Sequence, residues 1–172
     1  MKKVVLLLTA IVMMASCKEK APETMVPETM VSVTDTNMET FQKNVKTIKA
    51  FLDAFSANDS IKMVSYVTDD FVWSPPSVGS DSLPRATWEE GMKGFMNAYN
   101  DKKFTEAQYF AGLDDNQKPN GDVRVYGVWN STFADNGKDS KLKYYAVYFF
   151  NEEGKIKQQA EWYDTADLSK EF

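Results

Sequence analysis

Midway along the chain the spacing of the apolar residues changes from three and four to two, so one part is built as helix and the other as sheet. From Met38 to Phe55 the side chains of Met38, Phe41, Val45, Ile48, Leu52 and Phe55 recur at helical steps. Phe51 widens the stripe, while Lys43, Lys46, Lys49 and Asp53 lie off it. Thr36 and Glu39 stand in the relation of a capping box, which predicts a helix start near Asn37. Asn58 suits a helix stop, and Ile61, Val64 and Val67 give a short second stripe. Asp69-Asp70 reads as a turn, Phe71-Val72-Trp73 as a strand running into Pro75 and Pro76, and Ser77 to Arg85 as a loop. Thr87-Trp88-Glu89-Glu90 is a second capping box, opening a helix with Met92, Phe95, Met96 and Tyr99 on one face and Trp88 in the core. Its Gly91 and Gly94 predict close approach to another backbone. From Phe104 on, 104–113, 122–133, 142–150 and 155–163 read as strands, joined by turns at 116–121, 135–137 and 151–154. Three helices followed by a meander predict an α+β domain, with helices on one face of a curved antiparallel sheet.

The first residues read differently. Lys2 and Lys3 precede an apolar run from Val4 to Ala15, which as a helix reaches only about 18 Å. A bilayer core of roughly 30 Å needs more, so residues 1–16 read as a signal peptide. Met14-Ala15-Ser16-Cys17 resembles a bacterial lipobox, and Cys17 is the single cysteine of the chain. The expectation is a lipidated Cys17, with the membrane as a partner and the protein in the bacterial cell envelope. It would be anchored outside the inner membrane, on a periplasmic or surface face. Residues 17–36 hold Pro-Glu-Thr-Met-Val twice in tandem and read as a flexible tether, 37–166 as the domain, and 167–172 as a tail. Loss of Lys2 and Lys3 moves the formal charge from −5 to −7. An acidic body without a clustered basic stripe excludes nucleic acid as a partner.

Phe-x-x-Ala-Phe-x-x-x-Asp from Phe51 to Asp59, a short helix, Asp69-Asp70-Phe71-Val72-Trp73 and the proline exit resemble the opening of the nuclear transport factor 2-like superfamily. The likeness is to its bacterial SnoaL-like branch and spans Met38 to Asp164. The superfamily also includes ketosteroid isomerases. The resemblance implies a cone-shaped, cystatin-like fold with a pocket between sheet and helices.

Alternation then predicts which side chains face that pocket. Phe51, Phe55, Phe71, Trp73, Trp129, Ser131, Tyr144, Tyr148, Gln159, Glu161 and Tyr163 are the expected ligand-binding residues, an aromatic lining with a few polar tips. Laid along the ketosteroid isomerase pattern, the catalytic positions hold Phe51, Pro75 and Ala146, so that chemistry is excluded. The chain has no histidine, which removes an imidazole base and an ordinary zinc site. Asp69-Asp70 lacks a third oxygen ligand at useful spacing, and neither a metal nor a cofactor is expected. Glu161, with Tyr148 and Tyr163, is the remaining catalytic candidate. The function expected from these residues is binding of a small, partly apolar molecule without turnover. The alternatives are a cyclase, hydratase or isomerase using Glu161 with a tyrosine, and a dimeric interaction module joined through the outward aromatics Tyr126, Tyr145 and Phe149.

Overall fold

The computed structural model describes residues 29–80 and 82–169. Cys17, the signal peptide, the tether up to residue 28 and the last three residues of the expected tail lie outside the described residues. Helix α1 (Thr29–Ser56) begins upstream of the expected start. Thr36 and Glu39 lie inside it, and the Thr36 carbonyl accepts from Thr40 Oγ1 at 2.9 Å, so the capping box does not open the helix. Pro27 is the last proline before this helix, and nothing from Thr29 to Thr36 interrupts the backbone. The expected tether is therefore helical from Thr29.

The stripe of α1 faces the sheet, with Ile48, Phe51 and Leu52 buried. One polar side chain lies among them: Asn44 is buried and its Nδ2 donates to the Gly121 carbonyl at 2.9 Å, fixing the helix to the far turn of the sheet. The helix stops where expected, at Asn58 with φ 58°. Asp59 caps α2 (Ser60–Ser65) by accepting from Lys62 N–H at 2.9 Å. The expected apolar stripe of this second helix is corrected at one position: Met63 is its buried residue and Val64 packs on the core, as does the buried Val67 that opens β1, whereas Ile61 is 85 % exposed.

Strands β1 (Val67–Ser74), β2 (Leu83–Pro84), β3 (Tyr99–Leu113), β4 (Pro119–Phe133), β5 (Asp139–Phe150) and β6 (Ile156–Trp162) form one sheet in the order β2-β1-β6-β5-β4-β3. The sheet is mixed rather than wholly antiparallel, because β1 pairs parallel with β6. After β1 the chain crosses on α3 (Arg85–Ala98) to the opposite edge, and the meander returns β6 beside β1 in the same direction. The expected turn at Asp69-Asp70 is a register shift inside β1, where Asp69 meets Arg85 at 2.6 Å. Helix α3 starts at Arg85 behind Pro84, so Thr87 and Glu90 lie inside it and the second capping box does not open the helix; Glu89 accepts from Arg85 Nε at 2.8 Å. Trp88, Met92 and Met96 form its buried face. At Gly91 the close neighbour is the Trp73 ring, 3.3 Å from where a Cβ would stand, and Gly94 has open space.

Two bulges bend β3. Asn100↔Thr132 and Lys103↔Asn130, then Thr105↔Val128 and Gln108↔Tyr126, each leave one extra residue on β3, with Asp101 at φ 53° and Glu106 at φ 54°. The bent sheet curls around α1 and α2, and a 3-10 helix (Thr165–Ser169) closes the end of the hollow, its Leu168 carbonyl accepting from Tyr99 Oη at 2.7 Å. The tail expected from Asp167 is thus in part a packed element. Among the described residues no helix is long and apolar enough to cross a membrane.

A Cβ at Gly127 would collide with the Phe104 ring, which lies over that glycine and reaches Trp129 and Tyr144. Gly127→Ala is expected to lower the unfolding free energy by about 1–3 kcal/mol in urea titration. Gly94→Ala, exposed and in helix, is expected to be neutral or to stabilise by up to about 1 kcal/mol; equal effects at the two sites would contradict this packing.

Candidate functional site

Register places the polar tips. Ala146 on β5 pairs with Glu161 on β6, and Tyr148 pairs with Gln159, so Tyr144, Tyr148, Gln159 and Glu161 point to the same side of neighbouring strands. All four are buried, with Glu161 4 % exposed. Tyr144 Oη donates to Glu161 Oε1 at 3.0 Å and accepts from Gln159 Nε2 at 3.1 Å. Its only proton is committed to the carboxylate, so at 3.0 Å Tyr148 Oη must be the donor to Tyr144 Oη. Gln159 Nε2 also donates to Glu161 Oε1, which fixes the amide orientation, since the reverse would set its oxygen against the carboxylate. Among the described residues Gln159 Oε1 is left without a partner.

Burial pushes the Glu161 carboxyl up to about 7 from an ordinary value of 4.5, against the hydrogen bonds from Tyr144, Trp73, Gln159 and Tyr163 that favour its charged form. Trp73 Nε1 nonetheless makes no bond of regular hydrogen-bond geometry, so it acts on the carboxylate by proximity rather than as a full donor. Burial also raises the hydroxyls of Tyr144, Tyr148 and Tyr163, each with the Glu161 charge adding to the effect. The tyrosines are therefore held as O–H donors, and Glu161 is the group poised to change protonation state near neutrality.

These groups open onto a cavity of about 80 Å³. A single buried water needs roughly 10–15 Å³ on this measure, so the hollow holds several waters or one small organic molecule. Of the expected ligand-binding residues, Phe51, Phe55, Trp129, Ser131, Tyr144, Tyr148, Gln159, Glu161 and Tyr163 line it. Phe71 and Trp73 do not: Phe71 packs on Trp88 at 4.7 Å between ring centres, and Trp73 lies over Gly91. Helix α3 covers that end of β1, turning its inward face into core. Of the expected catalytic partners, Tyr163 lies beside Glu161, whereas Tyr148 reaches it only through Tyr144.

Reading the sequence missed Lys102, which is buried, lines the cavity and donates to Asn58 Oδ1 at 2.6 Å and to the Tyr99 carbonyl at 2.7 Å. The signal was alternation itself. Phe104 faces inward, so Lys102 two residues earlier would have been read inward too, had the strand been extended back to Tyr99.

Compared with known proteins, residues 48–159 match the family model described as SnoaL-like domain, which is more than half of the chain. No curated protein matches. Among solved structures, one assigned as a polyketide cyclase from Silicibacter sp. TM1040 shares 18% identity at a TM-score of 0.61. The alignment covers 76% of this chain and 96% of that one. The epoxide hydrolase/cyclase-like enzyme SalBIII, of pyran ring formation in the polyether salinomycin, shares 21% identity at a TM-score of 0.60, over 73% and 94% of the two chains. One assigned as an isomerase from Bacillus subtilis shares 14% at 0.63, over 74% and 91%. At these identities the likeness is one of fold.

An acid whose folded value lies above its unfolded value binds its proton more tightly in the native state, so stability is lost as pH rises from the unfolded value through the folded one. For Glu161 that window runs from 4.5 to about 7 and is worth about 3 kcal/mol. Asp122, raised from 3.8 mainly by burial, acts in the same direction. Urea titrations across this range should show the wild type losing stability toward alkaline pH, with a flatter profile for Glu161→Gln; parallel profiles would contradict the assignment.

Proposed function

The chain belongs to the SnoaL-like domain family, and on that premise we propose that it is an acid–base enzyme of the cyclase, hydratase or isomerase type, acting on a small apolar molecule through Glu161. The observation that carries this reading is a carboxyl buried to 4 % exposure, poised at about 7, and set in an aromatic hollow. A purely structural carboxylate gains nothing from a value near neutrality, whereas a general base works best there. The neighbours assigned as polyketide cyclases and as an isomerase favour turnover over simple ligand binding.

In this mechanism the Glu161 carboxylate takes a proton from carbon or oxygen of the substrate and returns it to another atom of the same molecule. For isomerisation or ring closure atoms and charge balance without any external reagent, and for hydration one water supplies the added oxygen and hydrogens. Tyr144 orients the carboxylate, Gln159 holds both, and Tyr148 passes its own hydrogen bond along the line. The aromatic walls of Phe51, Phe55 and Trp129 exclude water, which strengthens these hydrogen bonds. A panel of small carbonyl and epoxide compounds incubated in deuterated water, read by mass spectrometry, tests this. Isotope incorporation or ring closure should fall by about 10²–10⁴-fold in Glu161→Gln. An undiminished rate in that variant would remove the mechanism.

The anchoring reading is carried by the sequence alone. Residues 1–16 act as a signal peptide, Cys17 carries lipid, and the domain, including 37–166, is displayed outside the inner membrane of a bacterial envelope. The sheet's outer face supports a second property. Across four strands Phe110 meets Tyr126 edge-on, and Tyr126, Tyr145 and Trp162 stack in turn, with ring centres 5.7, 4.4 and 5.2 Å apart, and Phe110, Tyr126 and Trp162 are exposed. A second copy of the chain is the reading for that ladder. Cys17→Ser should shift the protein from the membrane to the soluble fraction, and light scattering of that released form should return a dimer mass. A Cys17→Ser protein still in the membrane, or a monomer at high concentration, would count against the respective reading.

A further inference from the structure

One charged side chain of the cavity takes no part in the acid–base network. Lys102 is 5 % exposed, and its ammonium has three N–H groups. Two go to neutral acceptors, Asn58 Oδ1 and the Tyr99 carbonyl, and the Phe55 ring centre stands 5.6 Å away. Among the described residues no carboxylate makes an ion pair with it, the pairs found being those of Arg85. Asp101 next to it adds a favourable field, and burial still lowers the Lys102 pKa. A buried cation without a counter-ion is costly, and a neutral amide would tie Asn58 to Tyr99 as well.

Two further donors lie beside it. Ser131 and Ser140 are register partners on β4 and β5, both line the cavity, and neither hydroxyl has a hydrogen-bond partner among the described residues. The pairs Asn100↔Thr132 and Lys103↔Asn130 bracket Ser131, so the bulge carrying Lys102 lies across from it. The rung of Ser140 is six residues along β5 from that of Ala146 and Glu161, and Ser140 and Glu161 both line the one cavity. One cavity thus has a carboxyl toward one end and a cluster of unpaired donors around an ammonium toward the other.

We propose that Lys102, Ser131 and Ser140 form a carboxylate-binding subsite, and that the substrate of Glu161 is a small apolar acid whose carboxylate lies at the end remote from the reacting atom. The second half rests on the acid–base reading above; the subsite itself does not. One ammonium balances one carboxylate, whereas a phosphate monoester brings about −1.5 to −2 charges against a single lysine. Distance from Glu161 keeps two like charges apart while the reacting end meets the base.

The test uses the full chain and three probes of one shape class: benzoate, its neutral isostere benzamide, and phenyl phosphate, with binding followed by calorimetry. Benzoate should bind at least about tenfold more tightly than benzamide. Lys102→Met should abolish that preference while changing benzamide affinity by less than about twofold, and Ser131→Ala with Ser140→Ala should weaken benzoate several-fold. Should Lys102→Met fail to fold, the wild-type ratio and the serine variants decide. Equal binding of benzoate and benzamide, no binding of either, equal weakening of both in Lys102→Met, or phenyl phosphate binding more tightly than benzoate would overturn the proposal. Glu161→Gln should keep the benzoate preference, so an inactive base and an empty anion site give different results.

Discussion

The hollow depends on the bend of β3. An unbent strand lying along β4 would press the sheet evenly on α1, and the space between them would fill with side chains. The two extra residues, at Asp101 and Glu106, curl the strand instead, and both are held in the left-handed region without being glycine. Such conformations cost of order 1–3 kcal/mol each and persist only where surrounding contacts hold them. Here the first of them also turns a lysine toward the interior. The same bend swings Phe104 over Gly127, where the absence of a side chain lets one ring close the wall against Trp129 and Tyr144. Curvature, cavity and the inward lysine share one local cause.

Within that hollow, the polar atoms are not uniformly satisfied. Tyr144 Oη uses its one proton and both lone pairs, which makes it the best-saturated atom of the site. Around it, Gln159 Oε1 and Trp73 Nε1 are buried and unmatched among the described residues. An unmatched buried group costs about 1–3 kcal/mol, so two of them beside a single carboxyl make this the least satisfied polar cluster bordering the hollow. The carboxyl also sits in an informative place. The resemblance to ketosteroid isomerases puts an acid at Ala146, and Glu161 is the cross-strand partner of that alanine. The sheet presents a carboxyl to the same region from the next strand, with different neighbours and a different direction of approach.

The parts legible from residues alone were those in which period reports burial. The α1 stripe, the four long strands and the inward set of Tyr144, Tyr148, Gln159, Glu161 and Tyr163 follow from side-chain direction, which the backbone fixes locally. What escaped is set by contacts distant in sequence. The capping boxes at Thr36 and Thr87 were competent local signals, overridden where the chain upstream continued into helix. Phe71 and Trp73 share a face with the site residues, yet α3 covers them, and alternation carries no information about what lies opposite. Parallel pairing of β1 with β6 is likewise invisible to local pattern, because either direction exposes the same faces. Lys102 was hidden because a strand begun at Phe104 leaves it out and a lysine beside a lysine reads as solvated surface.

The β1–β6 pair has a further consequence for how the domain assembles. Trp73 lies opposite Gln159, so forming that contact closes a loop containing most of the domain. Loop-closure entropy grows with the logarithm of length, and contacts this distant in sequence are the ones that slow folding. Glu161 sits on the strand that this contact docks. Its transfer from water is thereby coupled to the least local strand pairing of the sheet, and a chain stalled just short of it would hold a nearly complete meander with the acid still hydrated.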